Sequence, residues 1–303
     1  MKTNQQDKQI VKTFPGEKAY FIAIILFQQT LGALTYPIAK YGLAKIEPFT
    51  FAFYRFLIAA IVLLTVVKFQ TQTVKIEKKD YKRIIGMGCM IIIFNQTAYL
   101  FGQKLTGAGH AALLYATVPI WIFIGGLLYL KEKFVLRRAI GVILGMIGVI
   151  LIIASGAVEL GTQYLIGDLI IMVAVIAWAV YTFMGRPLVV KYGAIRTTAY
   201  ALASGTVLYF PFGIFRALTF DYSKTDLMSW LSVLYVALGV SIGAYVLWYW
   251  LLKYIETTRI AVYQNFQPVI ATAATFFLLG EKIGWPFIIG GSIVLIGVII
   301  TRR

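Results

Sequence analysis

The 303-residue sequence is poor in charge and in residues that bind metals. It contains one cysteine, Cys89, and one histidine, His110, so it cannot form a disulfide within the chain and has no Cys/His ligand set for a metal. Charged residues make up 13% of the chain, against about 25% in soluble domains. The sequence also lacks a Gly-rich phosphate loop and a catalytic triad. It therefore predicts no cofactor and no metal, and gives no support to an enzyme or an ATP-driven pump.

Hydrophobic residues make up 60% of the sequence, which places it among membrane proteins. The net charge of +16 would suggest nucleic acid as a partner of a soluble protein. Here the basic residues cluster between apolar runs, so their position indicates membrane topology instead. We therefore expect the lipid bilayer, and no nucleic acid, as the protein's surroundings.

Ten apolar runs are long enough to cross a bilayer, which takes about 20 residues. Only one run contains a charge, at Arg55. The sequence predicts an all-α integral membrane protein of ten transmembrane helices. The runs, called spans one to ten, are 19–39, 48–67, 84–103, 105–130, 139–158, 169–185, 197–215, 227–252, 260–280 and 283–301.

Basic residues between the spans predict the orientation. Of the 28 lysines and arginines, 21 lie in segments on one side of the predicted membrane and six on the other, with Arg55 inside a span. Because Lys and Arg accumulate in cytoplasmic segments, the richer side is predicted to be cytoplasmic. Both termini should then lie in the cytoplasm, with residues 1–18 as a cytoplasmic tail.

An internal repeat relates the two halves of the chain, with corresponding residues 149 positions apart. Each half holds five spans, an odd number, so the second half must enter the membrane from the opposite side. Inverted repeats of this kind are typical of secondary transporters. The matching pairs include Pro119/Pro268, Glu132/Glu281, Lys133/Lys282, Gly141/Gly290 and Gly148/Gly297.

These motifs resemble the two EamA repeats of the drug/metabolite transporter superfamily. The resemblance spans about residues 19–301 and implies one repeat at 19–155 and a second at 164–301. It also implies a central cavity and location in the cell membrane. We expect a secondary transporter of small metabolites, amino acids or related amphipathic compounds, that works by alternating access and in the export direction. The alternatives are an anion or nucleotide-sugar type exchanger or importer, and a scaffold or lipid scramblase that transports no solute.

Polar and aromatic side chains inside the spans are the candidate substrate contacts, since polar groups are costly in hydrocarbon unless they are paired or face a cavity. Bonding between neighbouring helices is the alternative role for each of them. Mid-span prolines are predicted hinges, with static kinks as the alternative. The predicted substrate-binding residues are Gln28, Asn95, Tyr99, Trp178, Tyr181, Tyr245, Tyr263, Gln264 and Gln267, and the predicted hinges are Pro119 and Pro268.

Three further features each have two interpretations. Arg55 either reaches the outer interface or helix carbonyls, or offers a positive charge to an anionic or zwitterionic substrate. The Glu-Lys turns at Glu132 and Glu281 either cap and anchor helices or form gates. Gly141 and Gly145 either pack within the chain, which favours a monomer, or form a homodimer contact.

Overall fold

The computed structural model describes residues 17–70, 74–106, 108–154, 164–279 and 284–302. Within these residues the chain is helical and contains no strand. It forms ten spans, which confirms the predicted all-α fold. Spans 1 to 8 are Tyr20–Leu43, Pro48–Lys68, Lys78–Thr106, Ala111–Leu128, Leu136–Ile153, Leu165–Tyr192, Ala194–Thr219 and Leu227–Tyr254. Span 9 consists of Thr257–Ile260, Ala261–Asn265 and Phe266–Leu279, and span 10 is Trp285–Arg302.

Several helices extend beyond the apolar runs that predicted them. Span 3 begins at Lys78, six residues before its apolar run, because charged residues can continue a helix outside the hydrocarbon. Span 2 begins where Glu47 accepts hydrogen bonds from the backbone N–H groups of Phe49 and Thr50, an N-cap followed by Pro48. Most of the predicted tail at 1–18 and the Glu281-Lys282 pair lie outside the described residues.

Large apolar side chains cover the outside of the spans. Phe27, Ile61, Phe101 and Leu295 are each about half exposed or more, and they lie on spans 1, 2, 3 and 10. A water-soluble protein rarely exposes so much contiguous apolar surface. The outer surface of the helical bundle therefore fits contact with lipid.

Spans 5 and 10 cross at glycines that the sequence repeat relates to each other. Gly141 lies against the backbone carbonyl of Gly297, and Gly148 lies against that of Gly290. The 149-residue offset pairs Gly141 with Gly290 and Gly148 with Gly297, so each contact joins one member of each pair. Contacts that join the members of two equivalent pairs in this way require the two helices to cross antiparallel about a local two-fold axis, as inverted repeats predict.

The glycines of span 5 are covered by spans 9 and 10. Span 10 occupies the face of Gly141, and the Asn265 side chain of span 9 lies against Gly145. These glycines therefore allow close packing within one chain, and their face is not available to a second copy.

Contacts between the halves follow the two-fold relation throughout the bundle. Equivalent spans pack on each other, span 2 on span 7 and span 4 on span 9. The contact of span 3 with span 6 is matched by that of span 8 with span 1. The buried core therefore lies between the two repeats, where a site shared by both would form.

Equivalent spans 3 and 8 both contain a π-helical segment, at Cys89–Thr97 and Val236–Ala244. In each segment a hydroxyl donates to the carbonyl five residues earlier, from Thr97 to Ile92 at 2.9 Å and from Ser241 to Val236 at 3.2 Å. Such segments are rare in proteins and are frequent at functional sites. Their presence in both repeats directs attention to the residues they carry.

Candidate functional site at the centre of the bundle

Arg55 lies inside span 2, about 10 Å from the Pro48 end at 1.5 Å per residue. Only 7% of its surface is exposed. The guanidinium donates from Nε to Ser241 Oγ at 2.7 Å, from Nη1 to Gln96 Oε1 at 3.1 Å and from Nη2 to Tyr245 Oη at 3.3 Å. Arg55 therefore reaches neither the interface nor the helix carbonyls. It joins spans 2, 3 and 8.

The three acceptors of the guanidinium are neutral. In the sequence, all 12 acidic residues lie in the tails and connections or near the ends of spans. In the part of the chain that the structure describes, no carboxylate pairs with this cation. Two aromatic rings flank it instead, since its Cζ lies 4.8 Å from the ring centroid of Phe56 and 6.0 Å from that of Tyr245. Such rings attract a cation but do not neutralise it.

The π-helical segments supply two of the three acceptors. Gln96 belongs to the segment of span 3 and Ser241 to that of span 8. An insertion of this kind changes which side chains face the bundle interior, so both repeats contribute one acceptor to the same cation. Arg55 was predicted with two possible roles, and Gln96 and Ser241 were not among the predicted substrate-binding residues. The signal for Arg55 was its isolated charge, whereas the partners carry no comparable signal.

Aromatic side chains of spans 6 and 8 lie beside Arg55. The ring of Trp178 is 5.4 Å from that of Tyr245 and 5.7 Å from that of Tyr181, measured between centroids. The Tyr249 hydroxyl donates to the Tyr181 carbonyl at 2.6 Å. The structure thus brings three of the predicted substrate-binding residues, Trp178, Tyr181 and Tyr245, into one cluster. With Arg55, Phe56, Gln96 and Ser241 they form what we call the central cluster.

Asn95 and Tyr99 lie on the same span as Gln96. The Asn95 side-chain amide donates to Tyr115 Oη and to the Ala174 carbonyl, both at 2.8 Å. The ring of Tyr99 packs edge to face on that of Tyr115, with centroids 5.1 Å apart. Through its amide nitrogen, Asn95 therefore links span 3 to spans 4 and 6.

The remaining predicted residues lie on spans 1 and 9. The Gln28 amide donates to the carbonyl of Ala244, next to Tyr245, at 3.4 Å. Tyr263 stacks on Phe266, and the Gln267 amide lies against Gly32 of span 1. Within the described residues, no hydrogen bond joins Gln264 or Gln267 to the central cluster. Span 9, which carries three of the predicted residues, thus packs on span 1.

Both predicted hinges follow an interruption in the helix. Span 4 is broken between Tyr115 and Val118, where the helix containing Pro119 begins. Span 9 passes through the 3-10 turn Ala261–Asn265 before the α-helix that contains Pro268. Proline cannot donate the backbone bond that would continue the previous turn. The two repeats therefore carry equivalent breaks, where a bend costs few hydrogen bonds.

Glu132 holds the start of span 9 from the turn after span 4. Lys131 has a left-handed backbone, with φ of 54°, which reverses the chain before Glu132. The Glu132 carboxylate accepts from the backbone N–H of Thr257 at 2.7 Å and of Thr258 at 2.8 Å. It also pairs with Arg186 of span 6. This carboxylate therefore caps a helix of the other repeat, consistent with the predicted anchoring role.

A second arginine extends these contacts to span 5. Arg138 donates from Nη1 to Thr258 Oγ1 at 2.8 Å and pairs with Glu256. Together with Glu132 and Arg186, these residues form what we call the Glu132 network. It ties spans 4, 5, 6 and 9 together at the end of the bundle that the loop charges predict to be cytoplasmic. The corresponding Glu281 lies outside the described residues.

At the opposite end of the bundle, a cavity of about 610 Å³ lies between the connections of spans 1 to 2 and 7 to 8. The Glu47 carboxylate lies 3.0 Å from the Arg216 guanidinium and 3.7 Å from the Lys104 amine. One carboxylate therefore pairs with two cations at this end of the bundle. The cavity is lined by Lys45, Glu47, Thr50, Phe215, Arg216, Thr219, Phe220, Asp221 and Lys224.

Comparison with known proteins identifies this architecture. The profile of the EamA-like transporter family matches residues 20–154 and again residues 165–303. The chain belongs to the EamA-like transporter family. It is a multi-pass membrane transporter built from two copies of the EamA unit.

Relatives of this EamA-like transporter match over most of their length. A protein of Archaeoglobus fulgidus named an uncharacterized transporter is 31% identical over 267 residues, which cover 86% of this chain and 90% of that one. The uncharacterized transporter YetK of Bacillus subtilis is 28% identical, over 87% and 81% of the two chains. A solved crystal structure shares the fold, with a TM-score of 0.78 over 92% of this chain and 98% of its own at 17% identity.

Proposed function

We propose that this EamA-like transporter is a secondary transporter that exports small metabolites, amino acids or related amphipathic compounds, by alternating access. The observation that carries the proposal is the central cluster, where equivalent π-helical segments of the two repeats hold one buried cation. Two inverted repeats have inward-open and outward-open states of related energy, because each repeat can adopt the shape of the other.

The Glu132 network is the proposed cytoplasmic closure in this cycle. It joins the start of span 9 to the ends of spans 4 and 6, so the cytoplasmic side opens when the bonds to Thr257 and Thr258 separate. The interruptions beside Pro119 and Pro268 let the span segments rotate during that step. For an exporter, the substrate enters while this network is open and leaves from the other side.

Substrate contacts are proposed on both sides of the central cluster. Trp178, Tyr181 and Tyr245 would pack against an apolar part of the substrate. Polar contacts are proposed for the other predicted residues, which lie on spans 1, 3 and 9. These are Gln28, Asn95, Tyr99, Tyr263, Gln264 and Gln267.

Counterflow in proteoliposomes tests the proposed transport. Vesicles are loaded with an unlabelled amino acid, nucleoside or cationic dye, and entry of the labelled compound is followed. We expect transient accumulation of at least one compound, above that in protein-free vesicles. Pro268→Ala, which restores a backbone donor at the break, is expected to slow accumulation without loss of folded protein. Failure of every compound in the panel to accumulate would contradict the proposal.

The proposed cell-membrane topology, with both termini in the cytoplasm, has an independent test. A fluorescent protein fused after Arg303 should fold and fluoresce in the cytoplasm of the expressing cell. With Cys89 replaced by serine, a cysteine introduced at Glu159 should react with an impermeant reagent added outside. Labelling only after the membrane is opened would reverse the orientation.

A further inference from the structure

The partners of Arg55 distinguish it from the other buried or partly buried arginines in the described part of the chain. Arg186 pairs with Glu132 and Arg138 pairs with Glu256. Arg196 has neutral partners, Gln70 Oε1 at 3.2 Å and the Val74 carbonyl at 3.3 Å, but it lies at the third position of span 7, near the membrane edge. Arg55 alone combines a mid-span position with neutral partners.

A charge held inside a membrane without a counter-charge is costly, and such residues mark ligand or ion pathways. The bonds to Ser241, Gln96 and Tyr245 orient the guanidinium but leave its charge in place. A guanidinium has five N–H donors, and these bonds use three of them. One N–H on each terminal nitrogen therefore remains for a further acceptor.

We propose that Arg55 binds the carboxylate of the transported molecule, an inference that rests on the proposed transport function. A carboxylate supplies the single negative charge that the cluster lacks and accepts two parallel N–H bonds from one guanidinium. A phosphate ester with two charges would need a second cation, and none lies in the central cluster. The substrate class is therefore small monocarboxylates, including zwitterions.

The neighbouring side chains define the rest of the molecule. Phe56 and Tyr245 flank the guanidinium, and Trp178 lies next to Tyr245. An apolar group attached near the carboxylate would lie on these rings. Gln96 and Ser241 are positioning residues, since they hold the guanidinium from two different repeats.

Ligand-induced stabilisation of the purified full-length protein tests this assignment. The probes are L-leucine, L-phenylalanine and 4-methylpentanoate, each paired with its amide, which keeps the shape and removes the negative charge. A ligand that binds the folded state raises the melting temperature by mass action. We expect stabilisation by at least one carboxylate and at least tenfold weaker apparent affinity for its amide.

Variants of Arg55 assign the effect to this residue. Arg55→Gln should weaken carboxylate binding by about 10- to 100-fold, the loss of a hydrogen bond to a charged group. Arg55→Lys keeps the charge without the planar fork. Its carboxylate affinity should lie between those of the unmodified protein and of Arg55→Gln. Arg196→Gln, the matched buried arginine, should bind as the unmodified protein does. Folding of each variant is checked by its own melting transition without ligand.

Three results would overturn the assignment: no probe carboxylate stabilises the protein, amides bind as well as acids, or Arg55→Gln binds unchanged. Counterflow separates these from failure of the transport proposal. Accumulation of a dye or nucleoside with no carboxylate binding would reject the role of Arg55 and retain transport. Carboxylate binding through Arg55 without counterflow of any panel compound would retain the site and reject transport.

Discussion

The two buried charge clusters of this transporter are built from similar residues and differ in what completes them. In the Glu132 network, carboxylates, guanidiniums and backbone N–H groups satisfy one another across the two repeats. In the central cluster, a guanidinium has three neutral acceptors and two remaining donors. The first cluster is complete without a ligand, as a closure should be. The second, by the proposal above, is completed by the carboxylate of the substrate.

The clusters also differ in which parts of the chain position them. Glu132 reaches its partners from a tight turn and binds backbone groups at the start of a helix. Arg55 is held by side chains on two π-helical segments in the middle of spans. Opening the bundle at one end can therefore break the network while the central cluster keeps its geometry, as the proposed alternating access would require.

The largest expected effect comes from removing the charge of Glu132. Its side chain is 5% exposed and Arg186 is 21% exposed, so Glu132→Gln leaves a largely buried cation without its counter-charge. We expect the free energy of unfolding in mild detergent to fall by about 3 kcal/mol, the lower limit for breaking a buried pair. Denaturant titration monitored by tryptophan fluorescence measures this.

Glu256→Gln is the matched control for that prediction. Glu256 pairs with Arg138 in the same network but its side chain is 36% exposed, so the change should cost under about 1 kcal/mol. Equal losses in the two variants would show that burial does not distinguish these pairs. Unchanged stability in both would reduce the network to a surface contact.

The fold was largely predictable because hydrophobic length and loop charge are local signals. Apolar runs located the ten spans, and the Pro119/Pro268 and Gly148/Gly297 pairs gave the inverted repeat. The glycine contacts between spans 5 and 10 then followed the repeat, since equivalent residues meet on a two-fold axis.

The site was less predictable, because its geometry depends on irregular helices. A regular α-helical period does not predict which side chains of a π-helical segment face the interior, and Gln96 and Ser241 both lie in such segments. The partners of Arg55 lie 41 to 190 residues away in the sequence. Arg55 could be identified as unusual from the sequence, but the neutrality of its partners required the structure.

A smaller effect is expected when Arg55 loses one of its acceptors. Ser241→Ala removes the 2.7 Å bond to the guanidinium, which should lower the free energy of unfolding by about 1.5 kcal/mol, the low end for a bond to a charged group. Carboxylate affinity should fall by about tenfold, because the guanidinium is then less well oriented.

The control for Ser241 is a serine on the surface of the same protein. Ser292 of span 10 donates only to the carbonyl of Ile288, at 2.8 Å, and is exposed. Ser292→Ala should change stability by less than about 0.5 kcal/mol and leave carboxylate affinity unchanged. If Ser241→Ala behaves like this control, the central cluster does not position Arg55 through span 8.

The smallest expected effect concerns the carboxylate of Asp226, which is exposed and already paired with Lys45. Asp226 caps the start of span 8 through Ser229, and its carboxylate accepts a hydrogen bond from Lys45, with both ion-pair side chains more than 40% exposed. The Lys45 bond and then the Ser229 bonds lower the pKa of Asp226 below its ordinary value of about 3.9.

A lowered pKa in the folded state adds stability above the unfolded pKa, and this contribution is lost as the pH falls through about 4 and below. Asp226→Asn keeps a capping oxygen without the charge, so its melting temperature should lie slightly below that of the unmodified protein at pH 7, and the difference should begin to shrink as the pH falls below about 4. A difference that does not shrink at all between pH 5 and pH 3, or that added salt does not reduce at pH 7, would contradict this account of the exposed pair.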